Sequence, residues 1–259
     1  MDGRQFIPGI RATEEALKHG ISIREIWLAV NRKGPRVEEI SRIARERGIP
    51  VSRKKGLYLD QMLPGISHQG VAALAEPFAY TDLDRLIRIS STDSQPALII
   101  AADHITDEGN LGAIIRASAF FGAHGLVIPK DRSAGVTERV LKRSSGAGLL
   151  LPVARVVNLR NALERLSGQG FWIIGTAGEG PCSVYEFDWV RSLVLVLGRE
   201  DTGLTQTVRK VCHQLVAIPA RGGLGSLNVS VAGGIILSEI IRQRFMASGA
   251  GKDPGVSKP

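Results

Sequence analysis

Apolar and polar residues alternate along this chain in two textures. Residues 11–19 and 37–47 carry apolar side chains at helical spacing, and 26–30 together with the start at Val51 and Ser52 read as strands. Residues 68–74 read as the strand that closes this small α/β unit. Between 79 and 96 the pattern turns polar, with Thr81-Asp82-Leu83-Asp84 and then Ser90-Ser91-Thr92-Asp93-Ser94, residues that cannot pack a core. A domain boundary is expected there, with a short helix inside it. From residue 97 short, wholly apolar runs at 97–102, 125–128, 153–156, 171–175, 193–197 and 215–218 are interleaved with helical stretches at 112–121, 136–145, 159–166 and 229–244. Strands without polar alternation are buried on both faces, so the pattern predicts an α/β fold with a mainly parallel sheet. The expected domains are 1–78 and 97–246, joined by a 79–96 linker and followed by a flexible tail at 247–259. No internal repeat is visible.

The stretch 215–239, LVAIPARGGLGSLNVSVAGGIILSE, organises the second half. Its strand is ended by Pro219, which has no N–H to donate. Gly222, Gly223 and Gly225 then permit bare main chain to approach a ligand. Either Ser226 or Asn228 is placed to cap the helix that starts near Val229. Ala232, Gly233 and Gly234 leave one face of that helix nearly without side chains. Glycines alone would fit an ordinary β-turn-α connection; with Ser-x-Asn and the small-residue helix they point to a binding loop.

Composition narrows the function classes. The 259 residues are 44% hydrophobic, enough for one large core or two modest ones. No apolar run approaches the ~18 residues of a membrane span, and the amino terminus has no apolar signal region, so no membrane association and a cytoplasmic location are expected. Cys182 and Cys212 are the only cysteines and show no CxxC spacing; they read as small core side chains rather than as a disulfide or metal pair. The formal charge of +8 implies a polyanionic partner, and residues 1–60 hold 13 Lys and Arg against 8 Asp and Glu, 13 − 8 = +5. Arg32-Lys33 and Arg53-Lys54-Lys55 fall in apparent loops where phosphates are within reach, which makes them candidate nucleic-acid contacts rather than merely solvated charge.

Three segments stand at the carboxyl ends of expected strands, where open parallel sheets place ligands. They are 103–116 (DHITDEGNLGAIIR), 197–204 (LGREDTGL) and the binding loop already described. In the first, Asn110 and Arg116 lie six apart with a helix beginning between them. In the second, Gly198 and Gly203 bracket Glu200. A phosphate loop, a dinucleotide fingerprint, a nucleophile elbow and a His-rich metal motif are all missing from the sequence, so no metal site is expected.

The ordered set NLGAIIRASA, LVLGREDTGL and IPARGGLGSLNVSVA resembles the three signature motifs of the SpoU/TrmH family of SPOUT ribose 2′-O-methyltransferases. The phrases IPKDRSA and IIGTAGE resemble the subgroup that methylates a guanosine ribose in large-subunit ribosomal RNA. The match covers about 97–244, and FIPGIRATEEAL resembles that subgroup's amino-terminal RNA-binding domain, similar in fold to ribosomal protein L30e. The resemblance implies a trefoil knot at the carboxyl end of the sheet, a homodimer, and S-adenosyl-L-methionine held largely through main chain. Its implied neighbours are Thr176, Gly178, Leu197, Gly198, Glu200, Ile218, Ser226 and Leu227.

The resemblance also makes Arg116 the base that takes the ribose proton, aided by a nearby RNA phosphate, with Asn110, Ser226 and Asn228 positioning it or the ribose. A guanidinium with a pKa above ~12 does not serve as a base. Arg116 is therefore expected to stabilise the developing alkoxide. The proton acceptor stays open among Glu200, Asp103 and His104, with His104 also readable as a hydrogen-bonded structural histidine and Asp103 as a turn or cap residue. Glu200 contacts cofactor or braces Arg116. A structural ion pair of Arg116 with Glu200 or Glu239 is the alternative for the arginine. The chain departs from the family at Glu108-Gly109-Asn110, where relatives commonly have proline. The expected activity is ribose 2′-O-methylation of ribosomal RNA; a transfer-RNA enzyme and a non-catalytic RNA-binding or assembly protein are the alternatives.

Overall fold

Short apolar runs in the first eighty residues pair as a mixed sheet. In the computed structural model, which describes residues 5–92, 95–222 and 225–249, contacts divide the chain into two units. One comprises Met1–Tyr80, Asp107–Arg116 and Ala134–Pro152, and the other Thr81–Thr106, Ala117–Ser133 and Val153–Pro259. Each is described by itself below.

The first unit opens with β1 (Gln5–Pro8), α1 (Ile10–Lys18), β2 (Ile23–Ala29), α2 (Pro35–Glu46), β3 (Val51–Lys54), α3 (Gly56–Met62) and β4 (Val71–Ala75). The sheet runs β1-β4-β2-β3, with β4 antiparallel to both β1 and β2 and β3 parallel to β2. β4 is buried along its whole length, as a central strand must be when both faces are covered. α1 buries Ile10, Ala12, Thr13, Ala16 and Leu17, one helical face. On the sheet, Phe6, Trp27, Leu59, Leu63 and Leu74 form a core in which the Phe6 and Trp27 rings lie 5.0 Å apart. α2 begins with proline in its first turn, where a missing N–H costs nothing.

The chain continues through α4 (Leu83–Ser90), β5 (Leu98–Ala102), α5 (Glu108–Phe120), β6 (Gly125–Pro129) and α6 (Glu138–Arg143) to β7 (Val153–Val156) and α7 (Leu159–Gly168). β8 (Trp172–Thr176), β9 (Cys182–Ser183), β10 (Leu193–Leu197), α8 (Gln206–Arg209), β11 (Gln214–Ala217) and α9 (Val229–Ala247) follow. α6 belongs with the first unit. Gln5 Nε2 donates to the Val136 carbonyl at 3.0 Å and the Val136 amide donates to the Tyr80 hydroxyl at 2.8 Å, which ties the approach to α6 onto β1.

In the second unit seven strands run β7-β6-β5-β10-β8-β11-β9, and every pairing among them is parallel. β5, β6 and β10 are buried throughout, the outcome expected of wholly apolar strands. α7 lays Leu159, Ala162, Leu163 and Leu166 on the core, each leucine contributing about 1.5–3 kcal/mol relative to exposure. α9 buries Gly233, Ile236, Leu237 and Ile240. Its far end is fastened by Arg244, whose guanidinium donates to the carbonyls of Pro96 (2.6 Å), Arg191 (2.8 Å), Ala97 (3.2 Å) and Trp189 (3.3 Å). Burial holds that guanidinium at about 10, below the usual arginine value.

Among the described residues five elements escape the sequence pattern: β1, α3, a 3-10 turn at Ala147–Leu149, β9 and α8, the longest of them seven residues and too short to show a period. α5 starts at Glu108, earlier than the pattern suggests, because Asp107 Oδ1 accepts the Asn110 amide at 2.7 Å and opens the helix there. α4 fills the polar stretch, capped by Asp82 accepting from the Arg85 amide at 2.6 Å. α9 runs three residues past Arg244, so the tail expected from 247 begins inside a helix. Asp93, Ser94, Gly223 and residues 250–259 lie outside the described residues.

Replacing Arg244 with methionine keeps the aliphatic stem but strands carbonyls that the guanidinium satisfies. Urea denaturation is expected to show a loss of roughly 2 kcal/mol or more; a change below about 0.5 kcal/mol would mean that water satisfies those carbonyls instead.

Candidate active site

β5 and β10 are neighbours in the sheet, yet the chain leaves them in opposite directions: β5 leads outward to β6 and β7, β10 to α8 and β11. Such a switch point opens a crevice beyond the carboxyl ends of the strands. The Asp103 amide extends the ladder by donating to the Leu197 carbonyl at 2.8 Å. Its carboxylate is fully buried: Oδ2 accepts from the Thr205 amide at 2.7 Å and Oδ1 lies 2.6 Å from His104 Nδ1. Thr205 is the residue at which α8 begins, so Asp103 staples the start of that helix to β5. His104 takes a left-handed backbone (φ 56°), uncommon for a non-glycine residue, and its ring is held by this carboxylate. Both residues thus have structural partners in this unit.

The loop after β10 is a tight ring. Arg199 and Gly203 exchange two backbone hydrogen bonds of 3.0 Å each. Gly198 faces the ring so closely that a Cβ there would stand 2.4 Å from the Gly203 carbonyl carbon, so no larger residue fits. Arg199 Nε donates to Asp201 Oδ1 at 2.9 Å and holds that exposed carboxyl below its usual range. Glu200 is left at the exposed tip.

Glu200 meets the binding loop. Asn228 is the residue that caps α9: its Oδ1 accepts from the amides of Ser230 (2.9 Å) and Val231 (3.4 Å) and from the Ser230 hydroxyl (2.6 Å). With the oxygen engaged on the helix, Nδ2 donates to Glu200 Oε1. One side chain thereby joins the α9 terminus to the β10 loop.

The loop after β8 comes to the same edge. Thr176 Oγ1 donates to the Val196 carbonyl at 3.1 Å, and the Ala177 amide donates to the Val216 carbonyl at 3.0 Å. A Cβ on Gly178 would lie 3.8 Å from the Gly225 carbonyl oxygen, so these loops face each other across bare main chain. Cβ atoms on Gly222 or Gly225 would meet nothing within 4 Å. Ile218 is half-buried, while Ser226 and Leu227 are exposed. Open space at the glycines and the apolar Ile218 and Leu227 leave this edge suited to apolar and main-chain contact with a ligand. Thr176, Gly178, Leu197, Gly198, Glu200, Ile218, Ser226, Leu227 and Asn228 thus share one edge of one sheet.

Asn110 and Arg116 belong to the first unit. Asn110 sits in the opening turn of α5, and Arg116, six residues on, is exposed and has no ion-pair or hydrogen-bond partner among the described residues of its own unit. The Glu239 carboxylate is taken by Arg242, with two contacts of 2.7 Å, and by Gln243 at 2.8 Å. Glu108, which stands in the unusual pre-asparagine segment, accepts from the Thr137 hydroxyl at 2.6 Å and lies 3.9 Å from Arg139. That negative charge is therefore engaged in joining α5 to the start of α6. Cys212 is no nucleophile: burial first, then the negative charge of Asp103, push its thiol up to about 11.

The cations singled out in the sequence separate by role. Arg32, Lys33 and Lys55 are exposed. Arg53 Nη1 instead donates to the carbonyls of Arg32 (3.0 Å) and Ala29 (3.2 Å), and Lys54 lies over the rings of Trp27 (5.4 Å) and Tyr58 (5.7 Å). Two groups went unrecognised in the sequence: Thr205, whose amide completes the Asp103 network, and Ser230, which shares the Asn228 oxygen. An Asp closing a strand signals a turn but not its partner a hundred residues away.

Comparison with known proteins matches residues 97–238 to the SpoU rRNA Methylase family and residues 6–81 to an RNA 2′-O ribose methyltransferase substrate-binding family. The chain is 37% identical over 245 residues to the 23S rRNA (guanosine-2′-O-)-methyltransferase RlmB of Pseudomonas putida, covering 94% of this chain and 98% of that protein. It is likewise 37% identical over 247 residues to an uncharacterized tRNA/rRNA methyltransferase of Mycolicibacterium gilvum, covering 95% and 79%. Among solved structures, the SpoU methyltransferase AviRb of Streptomyces viridochromogenes in complex with AdoMet superimposes with a TM-score of 0.77 at 27% identity, over 94% of this chain and 92% of that one.

Two substitutions at Asn228 separate its two tasks. Asn228→Ala removes the cap and is expected to lower stability by about 1 kcal/mol. Asn228→Asp keeps an acceptor for α9 but sets a carboxylate against Glu200, so chemical denaturation should show it near wild type while binding at this edge weakens. Equal binding by wild type and Asn228→Asp would dismiss the Asn228–Glu200 contact as a feature of the site.

Proposed function

The chain belongs to the SpoU rRNA methylase family, and from that membership and the geometry above we infer that it is an S-adenosylmethionine-dependent ribosomal RNA ribose 2′-O-methyltransferase. The substrate we assign is a guanosine of large-subunit (23S) RNA. The observation that carries the reading is the meeting of the β8, β10 and β11 loops on one edge, lined by open glycines and clasped by Asn228 on Glu200. Relatives named as 23S rRNA guanosine-2′-O-methyltransferases at 36–37% identity over nearly the full chain favour the guanosine. A transfer-RNA substrate is the second reading, since other relatives of equal identity carry the broader tRNA/rRNA description.

Thr176, Gly178, Leu197, Gly198, Ile218, Ser226 and Leu227 would hold the cofactor, mostly through main chain and apolar contact. When bound, S-adenosylmethionine supplies an electrophilic methyl group on a sulfonium. The protein's own task is to orient a ribose 2′-hydroxyl in line with that methyl and to stabilise charge as the hydroxyl loses its proton. We assign the second task to Arg116, a permanent cation that also grips RNA phosphate. Its exposure, with no partner among the described residues of its own unit, supports that role. Asn110, Ser226 and Asn228 position the ribose or the arginine. Glu200, held by Asn228, contacts the cofactor. For the proton acceptor, Asp103 is the weakest choice because its carboxylate is fully buried and already engaged with Thr205 and His104.

The same reading extends to the architecture. Residues 1–78 form an L30e-like RNA-binding domain, 79–96 a linker, and 97–246 a SPOUT domain in which α9 threads a trefoil knot. The close passage of Gly233 over Leu197, where an added Cβ would stand 3.0 Å from Leu197 Cδ1, supports such threading. Arg32, Lys33 and Lys55, with Arg53 and Lys54 behind them, serve RNA binding. The working form is a cytoplasmic homodimer; no described helix is long and apolar enough to cross a membrane.

Incubation with labelled S-adenosylmethionine and unmodified ribosomal or transfer RNA, followed by mapping of the methylated nucleotide, tests the assignment. Methylation of a 23S guanosine ribose is expected; transfer to a base, or to no RNA, refutes it. Arg116→Ala is expected to reduce kcat by about 100-fold or more, the scale of a lost oxyanion donor, while cofactor affinity stays within twofold. Unaltered kcat would remove the arginine from the chemistry.

A further inference from the structure

Within the first unit a cleft of ≈ 400 Å³ is lined by Arg11, Arg32, Arg36, Lys142 and Gln69, with Ile10 as an apolar wall. The four cations come from α1, the turn after β2, the start of α2, and α6, so the fold rather than local sequence gathers them. No carboxylate lines the cleft. Arg36, which also lines the cleft, is paired with Glu14 through contacts of 2.9 and 2.5 Å. Arg11 and Arg32 have no side-chain ion pair among the described residues, and Lys142 has only a 3.3 Å hydrogen bond to Gln69 Oε1.

Lys142 is the unusual member. Its Nζ stands 2.2 Å from where a Cβ on Gly9 would lie, so the ammonium occupies space that only glycine leaves open. Gly9 precedes the first turn of α1, which has no acidic residue and no side-chain cap. A cation is thus seated by the positive end of a helix and near further cations, an arrangement that is unfavourable until an anion arrives. Burial, then the charge of Arg11, hold the Lys142 ammonium below its usual range, the mark of a positive charge without a counter-ion.

We propose that this cleft is a phosphate-binding site through which Arg11, Arg32 and Lys142 grip the sugar–phosphate backbone of the RNA substrate. The proposal rests on the RNA methyltransferase reading and adds two residues, Arg11 and Lys142, that the charge runs in the sequence do not reveal. A polymer is favoured over a free phosphate because the basic surface continues. Arg32 and Gln69 also line a neighbouring cleft with Asn31 and His68, and Lys33, Arg42, Arg45 and Arg53 line a third, together with the carboxylate of Glu38. Cations thus line successive clefts of this unit, which suits a chain of phosphates better than a single one.

The test uses the full chain, a 23S RNA fragment and a salt series. Arg11→Ala/Arg32→Ala alters two exposed, unpaired side chains, and Lys142→Gln serves as a second variant, with thermal melting to verify folding. Each is expected to lower RNA affinity about tenfold at moderate salt and, for the double variant, to make the slope of log K against log salt shallower by about 1.4, two single-strand phosphate contacts. Affinity for S-adenosylmethionine should not change, and Arg160→Ala, a cation paired with Glu164 elsewhere, should leave RNA affinity near wild type. RNA affinity within twofold of wild type with an unchanged salt slope overturns the proposal. Should inorganic phosphate raise the melting temperature of wild type while RNA binding ignores both variants, the cleft serves a small anion and the proposal also fails. A protein that binds RNA through this cleft yet methylates none would refute the enzymatic reading and leave the cleft standing.

Discussion

The buried carboxylate of Asp103 is the contact on which the carboxyl edge of the parallel sheet depends. A parallel strand spends its hydrogen bonds on its neighbours until it ends, and there the amides of the next loop need other acceptors. Asp103 supplies one for Thr205, fixing where α8 starts, while its own amide prolongs β5 onto Leu197. The ring from Gly198 to Gly203 is thereby held between two anchored points. Only with that ring in place does Glu200 stand where Asn228 can reach it. A buried charge lacking these partners would cost several kcal/mol, so the network must form whole.

Close approach of main chain is the second constraint. Gly198 against Gly203, Gly180 against Val216 and Gly233 against Leu197 are contacts in which a methyl group would collide. The loops lie flat on one another, which lets them present backbone amides and carbonyls rather than side chains. A site built this way recognises a ligand by shape and main-chain donors. The ionisable groups at this edge are engaged with one another or with main chain: Asp103 with Thr205 and His104, Arg199 with Asp201, and Glu200 with Asn228.

Much of this was legible in the amino-acid pattern. The run at 193–197 coincides with β10 residue for residue, because five apolar residues, too few for a helix of ordinary length and followed by glycine, suit a strand covered on both sides. Ser-x-Asn before a helix left the cap to either Ser226 or Asn228, and Asn228 takes it. What stayed hidden depends on distant partners. The segments 107–116 and 134–152 read as parts of the second domain, yet by contact they group with the first eighty residues. Gln5 and Tyr80, which hold Val136, give no hint of it in the sequence. The grip of Asn228 on Glu200 spans two loops and has no local signature either.

Charge shows the same limit from another side. The excess of Lys and Arg pointed to a polyanion but could not sort the cations. Arg24, Arg42 and Arg165 are bound to Glu76, Glu39 and Asp84 at the surface, where such pairs contribute little and where an anion would have to displace a carboxylate. Arg53 holds carbonyls and Lys54 covers aromatic rings, so both act first in folding. Cations left without carboxylates are the ones whose electrostatic energy improves most when phosphate arrives. By that criterion an arginine inside a helix, Arg11, and a half-buried lysine, Lys142, stand beside the exposed Lys55 and ahead of Arg53 and Lys54, whose donors are already engaged. The folded chain selects its anion-binding groups by which charges it leaves uncompensated, and that selection is a property of packing that a count of residues does not contain.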